Sequence, residues 1–258
     1  MSIWKKNNSK VKQIDLIIKI ERRNNPNSDP YIQSIRYESQ NLNATLATAL
    51  AEINNNEYKD INGEPVEFIM WENSCLQRKC GACAMVIEGI PKLACRCFLK
   101  EYRKEILVTP MKKFPLIKDL VVDRSVLFDN LKKLEVWLGK SEITDGNREV
   151  VYEASKCLQC GCCLEVCPNF YIDENFFGAA GAVAATGVIA QGDNNISEPI
   201  LQQYDKHVYE GCGKSLACKK ICPAGIDVEH MLIHSNKISL WKKKNKHTRF
   251  NKERKIEE

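Results

Sequence analysis

The sequence predicts an α+β protein in which an N-terminal β-grasp domain is followed by an all-α domain. Two observations support this division. Up to about residue 115, short strand-forming runs alternate with turn residues around one helical segment. From Leu116 onward the apolar residues recur at helical spacing. We therefore expect domains over 1–115 and 116–240, followed by a basic, flexible tail over 241–258.

Five strand-forming runs define the first domain, and they lie at 14–20, 31–37, 66–71, 84–87 and 92–94. The first two are separated by a Pro-rich turn, which predicts that they pair with each other. Leu46, Leu50 and Ile53 recur at helical spacing and place a helix after the second run. The last two runs flank Gly89 and predict a hairpin. This order of elements is typical of a β-grasp domain.

Two segments carry the predicted helical character of the second domain. Leu127, Leu131, Leu134 and Leu138 lie on one helical stripe, and Gly139 is placed to end that helix. Residues 175–192 are uncharged but contain four glycines. A membrane-spanning helix needs about 20 predominantly apolar residues. We therefore interpret this segment as a buried helix or packed loop, and expect no transmembrane segment.

Thirteen cysteines are the unusual feature of an otherwise ordinary composition, with 44% hydrophobic and 28% charged residues. The first ten residues contain no apolar secretion segment. We therefore expect a reducing compartment, in which the thiols stay free to bind metal. Residues 237–258 hold nine Lys or Arg and three Glu. Such a run predicts a solvated end, with contact to anionic lipid headgroups as the alternative. We expect no nucleic-acid partner, because no recognition motif accompanies the charge.

The first cysteine group contains Cys75, Cys80 and Cys83. Its spacing, C-x4-C-x2-C, is that of plant-type 2Fe–2S clusters. A loop of this length can point backbone N–H groups at sulfur, and Gly81 and Ala82 keep it free of bulk. We therefore predict a 2Fe–2S ferredoxin-like site in the first domain.

Two residues compete to be the fourth ligand of this site, because Cys95 and Cys97 would face the same side of the return strand of the hairpin. The spacing alone does not decide between them. A zinc site is the alternative for the whole group. Zinc sites usually contain two pairs of closely spaced ligands, however, and this group has only one C-x2-C pair.

The second group, Cys157, Cys160, Cys163 and Cys167, is followed by proline and has the bacterial ferredoxin spacing C-x2-C-x2-C-x3-C-P. In two-cluster proteins the fourth cysteine of this run serves the other cluster. The first three residues are thus predicted to share one cluster, and Cys167 the other. Cys162 does not fit the spacing and is predicted to be a buried small side chain.

The third group, Cys212, Cys218 and Cys222, matches the first, third and fourth positions of the same run, with Ser215 at the second. By the same crossover, Cys222 completes a four-thiolate set with Cys157, Cys160 and Cys163. We predict a 4Fe–4S cluster there and a 3Fe–4S cluster at Cys167, Cys212 and Cys218. Ser215 could ligate a fourth iron through oxygen, but a neutral hydroxyl is a poor match for iron beside sulfide.

These three sites predict a graded path for single electrons, because losing a thiolate tends to raise the potential of a cluster. The sequence contains no Gly-rich dinucleotide fingerprint and no nucleophile or paired-carboxylate signature, so no catalytic residue is predicted. His207, His230, His234 and His247 are isolated histidines with surface or core roles as the default. Two-electron chemistry would therefore belong to a partner.

The whole arrangement resembles the iron–sulfur subunit of succinate dehydrogenase and fumarate reductase, the complex II family. The resemblance covers about residues 12–235. It is carried by Cys75-Leu-Gln-Arg-Lys-Cys80-Gly-Ala-Cys83, Pro91-Lys-Leu-Ala-Cys95, Pro110-Met-Lys-Lys-Phe-Pro115, Asp119-Leu-Val-Val-Asp-Arg124 and the two later cysteine runs.

The resemblance implies Cys95, and not Cys97, as the fourth 2Fe–2S ligand. It also implies a flavoprotein partner with covalent FAD, where succinate and fumarate interconvert, and a membrane anchor cytochrome b with haem b or quinone as acceptor. The chain would then serve the tricarboxylic acid cycle or a respiratory chain. We expect it to be peripheral, at the cytoplasmic face of a bacterial inner membrane.

Two positions depart from the ubiquinone-reducing members of the family. Ile172 stands where they carry Trp, and Gly213 where they carry His. This favours the branch with menaquinone and a single anchor holding two b haems. The alternatives are an electron carrier for another flavin or thiol-linked reductase, and a zinc-stapled binding protein.

Overall fold

The computed structural model describes residues 13–137, 147–191 and 197–240. These residues form two compact units. The first contains residues up to 111 together with 116–122, and the second contains 112–115 together with the residues from 123 onward. The chain therefore passes between the units more than once near the predicted boundary at residue 115. The predicted tail over 241–258 lies outside the described residues.

The first unit is built on a five-stranded mixed sheet with the strand order β2-β1-β5-β3-β4. Its strands are β1 (Ile14–Arg22), β2 (Tyr31–Ser39), β3 (Ala84–Ile87), β4 (Ile90–Leu93) and β5 (Glu105–Thr109). β1 and β5 pair in parallel, and the other pairs are antiparallel. Side chains of β1 alternate between buried and more exposed positions, as expected for a strand with one face on a core. The predicted β-grasp domain is confirmed, but the order of its elements is not, because the hairpin of β3 and β4 is the next sheet element after α1, and β5, which was not predicted, follows the hairpin.

Helix α1 (Leu46–Asn55) buries the face that the spacing of its leucines predicts. Leu46, Leu50 and Ile53 are all buried. Thr45 caps the first turn, because its hydroxyl accepts the backbone N–H of Thr48 at 3.2 Å. The predicted helix is thus confirmed, and its start is set by a reciprocal threonine cap.

The predicted strand over 66–71 is wrong, because this segment joins no sheet and side chains make several of its backbone hydrogen bonds. The Asn54 side chain bonds both backbone groups of Ile69, at 2.8 and 2.9 Å. The backbone N–H of Met70 donates to the Asp119 carboxylate at 2.9 Å. Ile69 and Trp71 are buried while Phe68 is exposed, so side chains alternate between buried and exposed positions although no strand forms here.

A buried ion pair between Arg22 and Asp119 fixes this segment. Arg22 Nε donates to Asp119 Oδ1 at 2.9 Å, and the two side chains are 2% and 0% exposed. The guanidinium also donates to the carbonyls of Glu67 and Phe68, at 3.3 and 3.1 Å. One buried pair therefore ties β1 to the segment that leads into the first cysteine loop.

Asp119 lies in a two-stranded hairpin formed by β6 (Leu116–Lys118) and β7 (Val121–Val122). The prediction that the chain turns helical at Leu116 is therefore wrong by several residues. The first helix after this point begins at Ser125. The turn between the two short strands needs a left-handed residue, and Asp119 adopts it with φ of 48°.

The second unit is helical, and α5 (Gly178–Ile189) lies at its centre with most of its side chains buried. The other helices are α2 (Ser125–Lys133), α3 (Arg148–Ser155), α4 (Cys162–Glu165), α6 (Ser197–Tyr204), a π-helical turn (Asp205–Tyr209), α7 (Ala217–Ile221) and a helix over 228–240. The buried-helix interpretation of residues 175–192 is confirmed for its described part. Within the described ranges, no helix combines the length and the apolar character needed to cross a membrane.

Helix α2 is shorter than the predicted leucine stripe. It ends at Lys133, where Leu134 caps it and Glu135 turns left-handed with φ of 55°. Leu127 and Leu134 are buried as predicted. Leu138 and Gly139 lie outside the described residues.

Replacing Arg22 with methionine should strongly destabilise the first unit. The substitution leaves the buried Asp119 carboxylate without its cation, and breaking such a pair costs about 3–5 kcal/mol. Arg36→Met is the control, because Arg36 forms an exposed ion pair with Asp15 and its side chain is 63% exposed. Chemical denaturation of both variants measures the effect. Equal free energies of unfolding in the two variants would contradict this account.

Candidate iron–sulfur sites

The loop from Cys75 to Cys83 directs backbone N–H groups at sulfur. Cys75 Sγ accepts hydrogen bonds from the amides of Gln77 and Lys79, both at 3.3 Å. Cys80 Sγ accepts the amide of Ala82 at 3.5 Å. These donors favour the thiolate form of the sulfur, which is the form that binds iron.

The thiols of the first group differ in pKa according to these surroundings. Amide donors from Gln77 and Lys79 lower the pKa of Cys75 to about 7. Burial raises the pKa of Cys83 to about 12. Cys80 interacts with both, and Cys95 interacts with Cys83. The structure therefore brings Cys75, Cys80, Cys83 and Cys95 into one neighbourhood.

Cys95 and Cys97 do not lie on a return strand, so the expectation that they face the same side is wrong. β4 ends at Leu93, and Cys95 lies in a 3₁₀ turn over Ala94–Arg96. The turn aims Cys95 at Cys83, whereas Cys97 Sγ lies 3.4 Å from the hydroxyl oxygen of Tyr102. The Cys97 carbonyl also accepts the amide of Leu46 at 2.8 Å, which fixes this residue against α1.

In the second unit, Cys157, Cys160, Cys163 and Cys222 interact electrostatically with one another. Burial raises the pKa of Cys163 well above its ordinary value and that of Cys157 to about 11. Their sulfurs lie in a water-poor interior, where unneutralised thiolate charge is costly. The predicted four-cysteine set is thus brought together across α4 and the end of α7.

Cys162 is a neighbour of this set but plays a different role in it. It is fully buried, and its thiol donates to Cys160. This donation and burial together raise the pKa of Cys162, and donors from Cys162 lower the pKa of Cys160 to about 7. The prediction of a buried small side chain is confirmed, with the addition that it supports a neighbouring sulfur.

Cys218 interacts with Cys167 and Cys212, so the predicted three-cysteine set also lies together. These residues line one cavity, and Ser215 is the residue at the position where a fourth cysteine would stand. Burial raises the pKa of Cys218. The cavity wall is tight near Gly213, where a Cβ atom would lie 2.8 Å from Asn169 Nδ2.

The loops between the cysteines of all three groups share one backbone feature. Non-glycine residues between the cysteines adopt left-handed conformations, namely Leu76, Arg78, Gln159, Lys214 and Leu216. Alternation of right- and left-handed residues turns successive N–H groups toward one point and makes an anion-binding concavity, which occurs at many iron–sulfur sites. This conformation fits loops that wrap an anionic cluster. Sequence reasoning missed it because none of the five residues is glycine.

Other contacts near the cysteines were also not predicted. Gln159 Nε2 donates to Cys157 Sγ at 3.3 Å. The ammonium of Lys113 donates to the carbonyl oxygens of Cys167 and Phe170. Glu165 accepts the amides of Lys112 and Lys113 at 2.9 and 3.1 Å. The Pro110–Pro115 motif gave no signal for the contacts with Glu165, because backbone amides of the motif make them.

The three histidines in the described ranges stay outside these sets. His207 is buried, stacks on Phe177 at 4.1 Å between ring centroids, and lies 2.7 Å from the Asn175 carbonyl. Its default core role is therefore confirmed. His230 and His234 lie on the helix over 228–240, and His247 lies outside the described residues. Within 13–137, 147–191 and 197–240, no three His, Cys, Asp or Glu side chains converge as ligands of a single metal ion.

Comparisons with known families agree with this division. Residues 17–129 match the 2Fe-2S iron-sulfur cluster binding domain, and residues 153–226 match the 4Fe-4S dicluster domain. The fold and the cysteine sets therefore define a two-domain iron–sulfur protein of the ferredoxin type.

Individual relatives define the family. The succinate dehydrogenase iron-sulfur subunit of Bacillus subtilis is 36% identical over 219 residues, which cover 80% of this chain and 85% of that protein. The fumarate reductase iron-sulfur subunit of Escherichia coli O157:H7 is 28% identical over 216 residues, with the same coverage. The chain belongs to the family of succinate dehydrogenase and fumarate reductase iron–sulfur subunits, the electron-transfer subunits of these oxidoreductases.

A solved structure supports the fold. One chain of the Mycobacterium smegmatis Sdh1 complex in the apo form superposes with a TM-score of 0.71 and 17% identity. The match covers 90% of this chain and 98% of that chain. Both units of the fold therefore recur in that protein.

Cys95→Ala should abolish the cluster of the first unit, whereas Cys97→Ser should retain it. Cys95 lies beside Cys83, but the Cys97 sulfur is directed to Tyr102. Iron content and the EPR signal of the reduced protein measure the outcome. Loss of the 2Fe–2S signal in Cys97→Ser with its retention in Cys95→Ala would show that the two roles are reversed.

The thiols of the cluster-free chain should react with iodoacetamide in a pH-dependent order. The lowered pKa of Cys75 places the half-maximal alkylation rate near pH 7, and the rate should rise with pH as the thiolate forms. Cys83, whose pKa is raised to about 12, should stay unreactive between about pH 6 and 9. Mass spectrometry of the labelled peptides reports both. A midpoint for Cys75 near its ordinary value of 9 would contradict the amide contribution.

Proposed function

We propose that the chain relays single electrons between the FAD of a flavoprotein subunit and a quinone or haem b of a membrane anchor. The observation that carries the proposal is the presence of three cysteine sets in one chain of this family, of which the two in the second unit adjoin at Cys163 and Cys218. Bound clusters would supply reversible one-electron transfer, which cysteine side chains cannot perform themselves. Succinate and fumarate would be handled by the flavoprotein.

The ligand assignment follows the cysteine spacing and the crossover between the two later groups. Cys75, Cys80, Cys83 and Cys95 would hold the 2Fe–2S cluster. Cys157, Cys160, Cys163 and Cys222 would hold the 4Fe–4S cluster. Cys167, Cys212 and Cys218 would hold the 3Fe–4S cluster. Support comes from the interactions of Cys157 with Cys222 and of Cys218 with Cys167, which are those that a crossover between the two later groups requires.

The residues around each site would keep its sulfur atoms in place when the bound cluster gains or loses an electron. Amides of Gln77, Lys79 and Ala82 offset thiolate charge at the first site. At the second, burial of Cys160 limits the access of water to its sulfur. Little reorganisation on gaining or losing an electron is what a carrier needs.

The position of Ser215 supports a three-thiolate site. It shares a cavity with Cys167, Cys212 and Cys218, and no fourth cysteine is among the residues that line this cavity. A cluster with fewer thiolates carries less negative charge, so its reduction potential is raised. We infer that this cluster is the last of the three to accept electrons and that it faces the anchor subunit.

The anchor would be of the menaquinone type. Ile172 and Gly213 stand at two positions where ubiquinone-reducing members carry Trp and His. The contact of Gly213 with Asn169 supports this choice, because a side chain at 213 would have to displace the amide that donates to the Gly211 carbonyl at 2.9 Å. We further propose that the chain is peripheral, bound through the anchor to the cytoplasmic face of a bacterial inner membrane.

Low-temperature EPR of the anaerobically purified protein tests the function. The oxidised sample should give a sharp, near-isotropic 3Fe–4S signal that disappears on mild reduction, with about nine irons per chain. Ser215→Cys should replace this signal by a second cubane signal in the reduced state, because it supplies the missing thiolate. Ser215→Ala is the matched control and should leave the signal unchanged.

Two results would count against the proposal. An EPR-silent oxidised wild type with two cubane signals on reduction would mean a filled fourth position and would favour a low-potential carrier for a thiol-linked or other flavin reductase. A colourless, iron-free protein that contains zinc would mean a zinc-stapled binding protein.

A further inference from the structure

A basic side chain lies directly beside the four-cysteine set of the second unit. Arg124 is the residue before α2, and its Nη1 donates to the carbonyl oxygen of Cys160 at 3.3 Å. Cys160 is buried, with 8% of its surface exposed. The guanidinium is thereby held at the backbone of one proposed ligand of the 4Fe–4S cluster.

The electrostatic coupling between these groups acts in both directions. The charge of Arg124 contributes to lowering the pKa of Cys160, behind the donors from Cys162. Burial lowers the pKa of Arg124, whereas the charge interactions with Cys160 and Cys162 act in the opposite direction and raise it. Guanidinium groups in proteins nonetheless remain protonated at neutral pH. Arg124 is therefore a permanent cation in a partly buried environment, where water screens it less than at the surface.

A fixed cation changes the energy of reduction at such a site. One electron enters the cluster from the preceding carrier and leaves to the next, so the reduced cluster carries one additional negative charge. A nearby positive charge stabilises the reduced form more than the oxidised form. No proton needs to move, because arginine keeps its charge throughout the cycle.

We propose that Arg124 raises the reduction potential of the cluster held by Cys157, Cys160, Cys163 and Cys222 through its guanidinium at the Cys160 backbone. This inference rests on the proposed function, since it needs a 4Fe–4S cluster at these four residues. Arg124 would then keep the potential of the 4Fe–4S cluster high enough to receive electrons from the flavin side. Arg124 is a positioning residue: it would act on the cluster through its fixed charge, and it touches no substrate.

The chain offers a matched control on α2, the helix that follows Arg124. Lys132 is a cation of α2 whose side chain is 76% exposed, and it pairs with Asp129 at 3.1 Å. Solvent screens such a charge. Lys132→Met therefore removes the same formal charge as Arg124→Met, but from a site where it should not affect the cluster.

The test is an EPR-monitored redox titration of the assembled complex carrying Arg124→Met, Arg124→Lys or Lys132→Met. At a fixed potential, Arg124→Met should lower the ratio of reduced to oxidised 4Fe–4S cluster at least tenfold, about 59 mV for a one-electron couple. Arg124→Lys should recover most of this shift, and Lys132→Met should show none. The 2Fe–2S cluster should keep its potential in all three variants.

The outcomes separate this inference from the proposed function. A normal 4Fe–4S signal whose potential is unchanged in Arg124→Met overturns the role of Arg124 and leaves the relay intact. Absence of any 4Fe–4S signal in the wild type overturns the proposed function itself. If Arg124→Met does not retain its cluster, Arg124→Lys is compared with Arg124→Gln, since both can donate to the Cys160 carbonyl and only one is charged. Equal potentials in that pair overturn the inference.

Discussion

Negative charge on clustered sulfur is the constraint on which the arrangement of both units depends. A thiolate is stabilised where hydrogen-bond donors or cations face it, and this matters most where water is excluded. The cysteine loops meet this requirement with backbone amides turned by left-handed residues such as Leu76 and Gln159.

The two units support their loops in different ways. In the first, the buried Arg22–Asp119 pair holds the extended segment that leads to Cys75, and a sheet carries the hairpin before Cys95. In the second, the small residues of α5 allow neighbouring helices to approach closely; Gly181, for example, lies so near Leu134 that a Cβ atom would be 3.0 Å from its side chain. A rigid frame around each site suits electron transfer, which needs little atomic movement.

Much of the fold and of the cysteine sites could be predicted from the sequence, because the spacing of cysteines and of apolar residues indicates which residues lie together. Cysteine spacing predicted the neighbours of Cys157 and Cys218, and apolar periodicity predicted β1, β2 and α1. The failures have physical causes. The 66–71 run alternates like a strand but bonds to Asn54 and Asp119, which are distant in sequence. The left-handed residues and the Arg124 contact gave no sequence signal, since conformation and long-range donors are set by the folded chain.

The central claim is that one chain holds three clusters of different type at three defined cysteine sets. Anomalous diffraction at the iron absorption edge, from crystals of the assembled complex, tests it most directly. The account predicts two irons beside Cys75 and Cys95, four beside Cys157 and Cys222, and three beside Cys167 and Cys218, about nine in total. A fourth iron beside Ser215, or iron at Cys97 in place of Cys95, would contradict it.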